Sequence, residues 1–433
     1  MLIEFRVENH RSLQDEQVLT MEAGRVGDES DPRPRQVAGH AEKLLTVAGL
    51  YGANASGKSN VLSALSFMGD AVVQSQRSWP PVGGQPGEPA VPRDPFAWGP
   101  KKREPSLYEV TFLVDSVRYQ YGFQLSDERI LEEWLYAWPS GKKQVWFERE
   151  DRTFKFGENL KGENKVIAEV TRPNALFLSA AVQHNHPQLA PIFAWFQFLE
   201  AVNMRRGREL SHPPRWVSVE FEIKSEIVLA DLLGGDSEIP PDGLPMPSRE
   251  SFNGWLNRAD VGIVEFRVER GKLDERRQPS LPSFFLKHQN GSDDAWLPLQ
   301  EESRGTQTLF YMALPVFRAL QDGGVLLVDE LERGLHPSLA RKIIQQFNDP
   351  VANPKNAQII FTTHDTNLLG TTLGEPALRR DQVWLTEKDA EGATVLYPLT
   401  DYKPRKAENI ERGYLQGRYG AIPFLGDFLA TGE

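Results

Sequence analysis

Residues 47–60 read VAGLYGANASGKSN: an apolar run, a glycine-rich turn, and the opening of a helical pattern at Lys58. Gly52, Gly57, Lys58 and Ser59 fit GxxxxGK(S/T), the loop whose backbone N–H groups wrap nucleotide phosphates. Glycines admit the backbone geometry and close approach that phosphate oxygens require. The lysine brings positive charge to the β- and γ-phosphates, and the serine hydroxyl can ligate a divalent cation. Asn54 and Asn60 stand in the same turn and at its exit, and are expected to join Gly57, Lys58 and Ser59 on the bound cofactor. Downstream, Val61, Leu62, Leu65 and Met68 recur at helical spacing, so residues 59–76 are expected to form a helix whose N-terminus faces phosphate. The stretch implies a protein that binds a nucleoside triphosphate.

The chain has 433 residues, of which 40% are hydrophobic and 25% charged, an ordinary balance for a folded protein of two or three lobes. A formal charge of −11 argues against coating nucleic acid through global charge, although a local basic groove stays open. With no cysteine, disulfides, thiolate metal sites and cysteine nucleophiles are excluded, and the eight histidines show no HExxH spacing. The N-terminal MLIEFRVENHRSLQ alternates like a strand and lacks the pattern of a secretion signal. No stretch approaches 18 uninterrupted apolar residues, so no membrane span is expected and the chain reads as cytoplasmic.

Residues 78–100 are rich in proline and glycine and read as a surface excursion. Alternating, aromatic-rich runs at 107–114, 118–125, 130–138 and 143–149 predict an antiparallel meander. Residues 175–183, ALFLSAAVQ, read as a buried strand ending at Gln183. Residues 184–255 read as an inserted lobe, with a helix at 188–204, a strand at 216–223 and a proline-rich loop at 239–247. Strand-like runs return at 263–270 and 283–289. The last third then alternates: a helix after Ser303, a strand at 324–330, a helix at 337–348, and strands at 357–364 and 382–387. Continuous apolar strands between helices predict a parallel sheet covered on both faces, with the site at the carboxyl ends of its strands. The expected division is 1–183 and 256–433 as two halves of one α/β unit, interrupted by 184–255.

Three further motifs bear on chemistry. GVLLVDE ends on Asp329 and Glu330: the first carboxylate is expected in a metal shell, the second placed to polarise a water against the γ-phosphate. Such a pair can also simply cap the next helix. EESRGTQTL sets Ser303 and Gly305 before a long helix, and His364 ends the strand AQIIFTTH. Either can bind phosphate, or be an ordinary N-cap and a structural histidine.

Taken in order, GANASGKS, Gln183, ESRGT, LLVDE and TTH resemble an ABC-type ATPase head, the α/β P-loop NTPase unit of SMC proteins and double-strand-break repair ATPases. NHRSL, DELERGLHP and YLQGRYGAIPF narrow the likeness to RloA-type and abortive-infection ATPases of the AAA, OLD-related group. The resemblance implies ATP and Mg²⁺ as cofactors, with Lys58 and Ser59 on phosphate and metal, and Gln183 on the metal and the attacking water. It implies Asp329 behind the metal, Glu330 as base, His364 as γ-phosphate switch, and Arg11 near the phosphates. Ser303 and Gly305 would act on a second copy in a head-to-head dimer. Two positions depart from the ABC pattern: Arg304 replaces the first signature glycine, and His336 the usual aspartate after the second carboxylate.

The same resemblance implies an ATP-driven switch in anti-phage or abortive-infection defence, controlling a separate operon-encoded effector such as a nuclease. Only 69 residues follow His364 (433 − 364), without the acidic cluster of a nuclease domain. The alternative is a DNA-binding repair ATPase. Its support is the run Lys403, Arg405, Lys406, Arg412 and Arg418 interleaved with Tyr402, Tyr414 and Tyr419, which can equally be a solvated helix face. A GTPase reading lacks the NKxD motif.

Overall fold

The computed structural model describes residues 1–28, 30–80, 82, 89–202, 204, 249–258, 262–269, 283–289, 292, 294–405 and 408–423. The strand expected at 216–223, the loop at 239–247 and Lys406 lie outside them. Along the chain, β1 (Leu2–Glu8), β2 (Gln17–Thr20) and β3 (Val47–Gly52) lead into α1 (Lys58–Ser78). A meander follows: β4 (Ser106–Val114), β5 (Val117–Leu125), β6 (Ile130–Trp138), β7 (Gln144–Glu150) and β8 (Thr153–Phe156). Next come α2 (Asn164–Val170), α3 (Phe177–Gln183), α4 (Ala190–Gln197) and β9 (Leu199–Val202), then α5 (Arg249–Arg258) and the strands β10 (Ile263–Glu269), β11 (Ser283–His288) and β12 (Trp296–Pro298). The last third holds α6 (Arg304–Asp322), β13 (Val325–Val328), α7 (Pro337–Asn348), β14 (Gln358–Thr362), β15 (Val383–Lys388), β16 (Thr394–Pro398) and α8 (Ile410–Leu415). No helix among the described residues is long and apolar enough to cross a membrane.

The six-stranded sheet runs β16-β15-β3-β14-β13-β9, parallel throughout except for β16. β3, β13 and β14 are buried at every position, as apolar strands between two covered faces must be. Their side chains alternate between two cores. Ala48, Leu50, Val325, Leu327 and Ile360 face α1 and the meander, whereas Val47, Tyr51, Leu326, Val328, Ile359 and Phe361 face α6 and α7. The meander belongs to a seven-stranded antiparallel sheet, β2-β1-β4-β5-β6-β7-β8, and β10, β11 and β12 form a small third sheet. α1 thus lies between the two large sheets, with its N-terminus at the carboxyl edge of β3.

Three expectations need correction. Residues 177–183 form a helix, because the buried Glu133 carboxylate on β6 accepts from the Phe177 and Leu178 N–H groups at 2.7 and 3.1 Å. An acid at a helix N-terminus satisfies donors that have no partner within the helix. Glu133 is itself held by the Tyr121 hydroxyl at 2.9 Å and by Arg149 at 3.6 Å. Second, the helix read at 188–204 stops at Gln197, and Leu199–Val202 pairs in parallel with β13, so this part of the presumed insertion sits inside the large sheet. Third, the excursion at 78–100 is anchored: Val91, Arg93 and Phe96 are buried, and Arg93 Nε donates to Asp127 at 2.7 Å.

Candidate nucleotide site

β3 carries the chain to Gly52, and the loop turns back through Gly57 at φ 108° into α1. Only glycine fits at 57: the positive φ aside, a Cβ there would sit 2.0 Å from Thr394 Oγ1. α1 has no side-chain cap, so its first N–H groups are open to an anion. Lys58 folds over the loop and donates from Nζ to Gly52 O at 2.9 Å and Ala53 O at 3.0 Å. Burial lowers its pKa to about 8, against the opposing pull of Asp329, Glu332 and Glu330. Asn54 is exposed on the loop.

Across the sheet edge, Ser59 Oγ donates to Asp329 Oδ1 at 2.8 Å. The Thr362 hydroxyl at the end of β14 donates to the same oxygen at 2.6 Å and accepts from the Glu330 N–H at 2.8 Å. Glu330 is exposed and takes a left-handed backbone, φ 52°, which turns the chain sharply off β13. Glu332 receives the Thr363 hydroxyl and the His364 N–H, both at 2.7 Å. The exposed His364 ring has its pKa lowered by desolvation and then by the charge of Lys58. Ser59, Asp329, Glu330 and His364 therefore converge on the open side of the loop that holds Lys58.

The opposite flank of the loop rests on hydroxyl side chains, two of which, Thr386 and Thr394, no motif marked. Thr394 Oγ1 donates to Ser56 O at 2.8 Å and pairs with Ser12 Oγ at 2.7 Å, and Asn60 Nδ2 reaches the same Ser12 oxygen at 2.6 Å. Ser56 Oγ pairs with Thr386 Oγ1 at 2.6 Å. The sequence NHRS thus links the first strand to α1, since buried His10 also bridges Ser63 Oγ and the Tyr108 hydroxyl, each at 2.8 Å. Arg11 sits beside Ser12 and pairs with Asp94 at 3.3 Å.

Other expected residues are placed elsewhere. Gln183 is exposed at the end of α3, whose start is fixed to the far end of α1: Leu176 N–H donates to Ser75 Oγ, and Gln76 N–H to Ser179 Oγ. At 1.5 Å per residue, Ser75 lies roughly 25 Å along α1 from Lys58, so Gln183 is not brought to the loop. The strand end beside Asp329 is that of β9, where Val202 O accepts the Asp329 N–H at 3.1 Å. Ser303 caps α6, its Oγ accepting from the Thr306 N–H at 3.1 Å. Gly305 lies so close to Gly334 O that a Cβ would be 2.6 Å from it. Both stand at the exposed start of α6. His336 caps α7 through Ser338 N–H at 3.2 Å.

In the C-terminal basic run, Arg418 pairs with Glu408, and Tyr419 donates to the same carboxylate at 2.7 Å. Tyr414 packs edge-on against Tyr51 at 5.7 Å, directly behind the phosphate loop. YLQGRYGA therefore braces β3 from below.

No curated protein matches the sequence. Among solved structures, the SMC head domain from Thermotoga maritima is similar at 14% identity and a TM-score of 0.40, over 92% of this chain and 98% of that one. The SMC head domain from Pyrococcus furiosus, with an extended coiled coil and bound to the C-terminal domain of ScpA, is similar at 11% identity and a TM-score of 0.39, over 93% and 97%. The family described as "AAA domain, putative AbiEii toxin, Type IV TA system" matches residues 47–370, from the strand before the phosphate loop to just past His364. The chain belongs to that family of AAA-type ATPase domains.

Proposed function

We propose that the chain is an ATP-hydrolysing head that closes on a second copy around ATP and switches a separately encoded effector in defence against phage. The observation that carries the ATPase reading is the shared hydrogen bonding of Ser59, Thr362 and Asp329 beside Lys58. These are hard oxygen donors of the kind Mg²⁺ takes, and Ser59 and Asp329 would hold it. Bound there, the ion would neutralise charge building on the phosphates. Lys58 would draw the β- and γ-phosphates into the loop, and Glu330 would accept the proton of the attacking water. His364 would hold the γ-phosphate, its imidazole kept neutral by desolvation and by Lys58.

Closure on a second copy is supported by the exposed Ser303 and Arg304 at the start of α6, which leave that helix N-terminus open to a second molecule. The family description, which names a "putative AbiEii toxin" of a type IV toxin–antitoxin system, supports a second, separately encoded component. The test is Mg²⁺-dependent ATP hydrolysis together with solution mass, with and without ATP, for the parent, Lys58→Ala and Glu330→Gln. Lys58→Ala should abolish binding, and Glu330→Gln should bind ATP and stall as a dimer. Hydrolysis at the parental rate by Glu330→Gln would remove it as the base, and a monomer under every condition would remove closure. Co-purification with the product of the neighbouring reading frame, with a change in ATPase rate, tests the effector arm.

A further inference from the structure

Among the described residues one tryptophan stands exposed to solvent: Trp98, at 57%. A single exposed apolar side chain is ordinary. This one, however, packs against the turn that supports the phosphate loop. Its ring packs edge-on against buried Phe96 at 4.9 Å, and the Phe96 N–H donates to Asn9 Oδ1 at 2.8 Å. Its Cζ2 lies 3.5 Å from where a Cβ would stand on Gly392, in the β15–β16 turn. Lys388 closes that turn onto Gly392 O at 2.8 Å and Thr394 Oγ1 at 3.1 Å. Thr394, two residues past Gly392, is the side chain that holds Ser56 O and abuts Gly57.

The sheet order gives the site a direction. β14 and β13, with Thr362, Asp329 and Glu330, lie on one side of β3, and β15 and β16 lie on the other. A triphosphate whose γ end points to Asp329 must send its nucleoside toward the β15–β16 side, where Arg11, Asp94 and Trp98 stand. Asn60, in the first turn of α1, is tied to Ser12 on that same side. We infer that Trp98 is the stacking platform for the purine base of the nucleotide held by the Lys58 loop. The inference rests on the reading of that loop as an ATP site. The indole presents a π face braced by Phe96 and Gly392, so stacking immobilises little that is not already fixed. Gly392 leaves room for the ring to lie against the turn.

Equilibrium binding of ATP and of inorganic tripolyphosphate to the full chain tests this in the parent, Trp98→Ala, Trp98→Phe and Lys58→Ala. Base–aromatic stacking predicts that Trp98→Ala weakens ATP about tenfold. Tripolyphosphate affinity should stay unchanged, and Trp98→Phe should remain near the parent. ATP affinity unchanged in Trp98→Ala overturns the platform while leaving the phosphate site standing. Equal weakening of ATP and tripolyphosphate also overturns it, because the ring would then be bracing the loop. A parent that binds ATP no better than Lys58→Ala overturns both this inference and the nucleotide reading beneath it.

Discussion

The Thr362 hydroxyl donates to Asp329 Oδ1 at 2.6 Å and accepts from the Glu330 N–H at 2.8 Å, so one fully buried side chain on β14 fixes the Asp329 carboxylate and the Glu330 backbone at the end of β13. Valine would keep the shape of Thr362 and delete the hydroxyl, leaving the Glu330 N–H unpaired at a cost of roughly 1–3 kcal/mol. Thr362→Val should therefore lower ATP turnover about tenfold or more while ATP affinity stays within a few-fold, because Lys58 and the loop are untouched. Steady-state hydrolysis beside equilibrium binding checks this. An unchanged turnover rate would show that Thr362 does not position the pair.

What the sequence made legible was local. The phosphate loop and α1 are encoded within the single stretch Gly52–Ser78, and the apolar runs of β3, β13 and β14 are buried on both faces as their composition demands. What it hid depends on partners far along the chain. ALFLSAAVQ has a strand's composition, but the carboxylate that makes it a helix arrives from Glu133, 44 residues before Phe177. LEAV at 199–202 becomes a strand only because β13 offers an edge. Thr386 and Thr394 belong to no motif, since a hydroxyl that braces a loop leaves no spacing signature, and TTH and NHRSL did not reveal that Thr362 and Ser12 are bracing side chains.

Gln183 tests the correction directly. It is solvent-exposed at the C-terminal end of α3, tied to the distal half of α1. Gln183→Ala should keep ATP turnover within about twofold of the parent, as surface substitutions away from a site do. A tenfold loss with ATP binding intact would return Gln183 to the chemistry and require α3 to move.

His10 makes the N-terminal linkage acid-sensitive. Burial, then the charge of Arg11, lowers its pKa from 6.5 to about 3. Between those values the unfolded chain binds a proton that the folded chain refuses, so stability falls as pH falls through that window. The loss is up to about 1.4 kcal/mol per pH unit from this one group. Urea midpoints at pH 7 and pH 5 should therefore converge more closely in His10→Asn than in the parent, even though the variant starts lower after losing its bridge to Ser63 and Tyr108. Equal slopes in the two proteins would remove His10 as the source.

Lys58 gives the site its own alkaline limit. In the nucleotide-free protein burial lowers its pKa to about 8, and the ammonium is turned onto Gly52 O and Ala53 O. A bound triphosphate brings negative charge beside that nitrogen, which favours the protonated form and raises its pKa. Binding therefore takes up a proton once the free site begins to deprotonate. ATP affinity should be flat from pH 7 to about 8, then weaken with rising pH, approaching tenfold per unit until the bound-state pKa is reached. The triphosphate of ATP is already fully ionised there, so the slope reports on the protein. Binding measured at pH 7, 8, 9 and 9.5 separates the cases: a flat dissociation constant across that range would mean that Lys58 stays charged in the empty loop, or that it does not meet the phosphates.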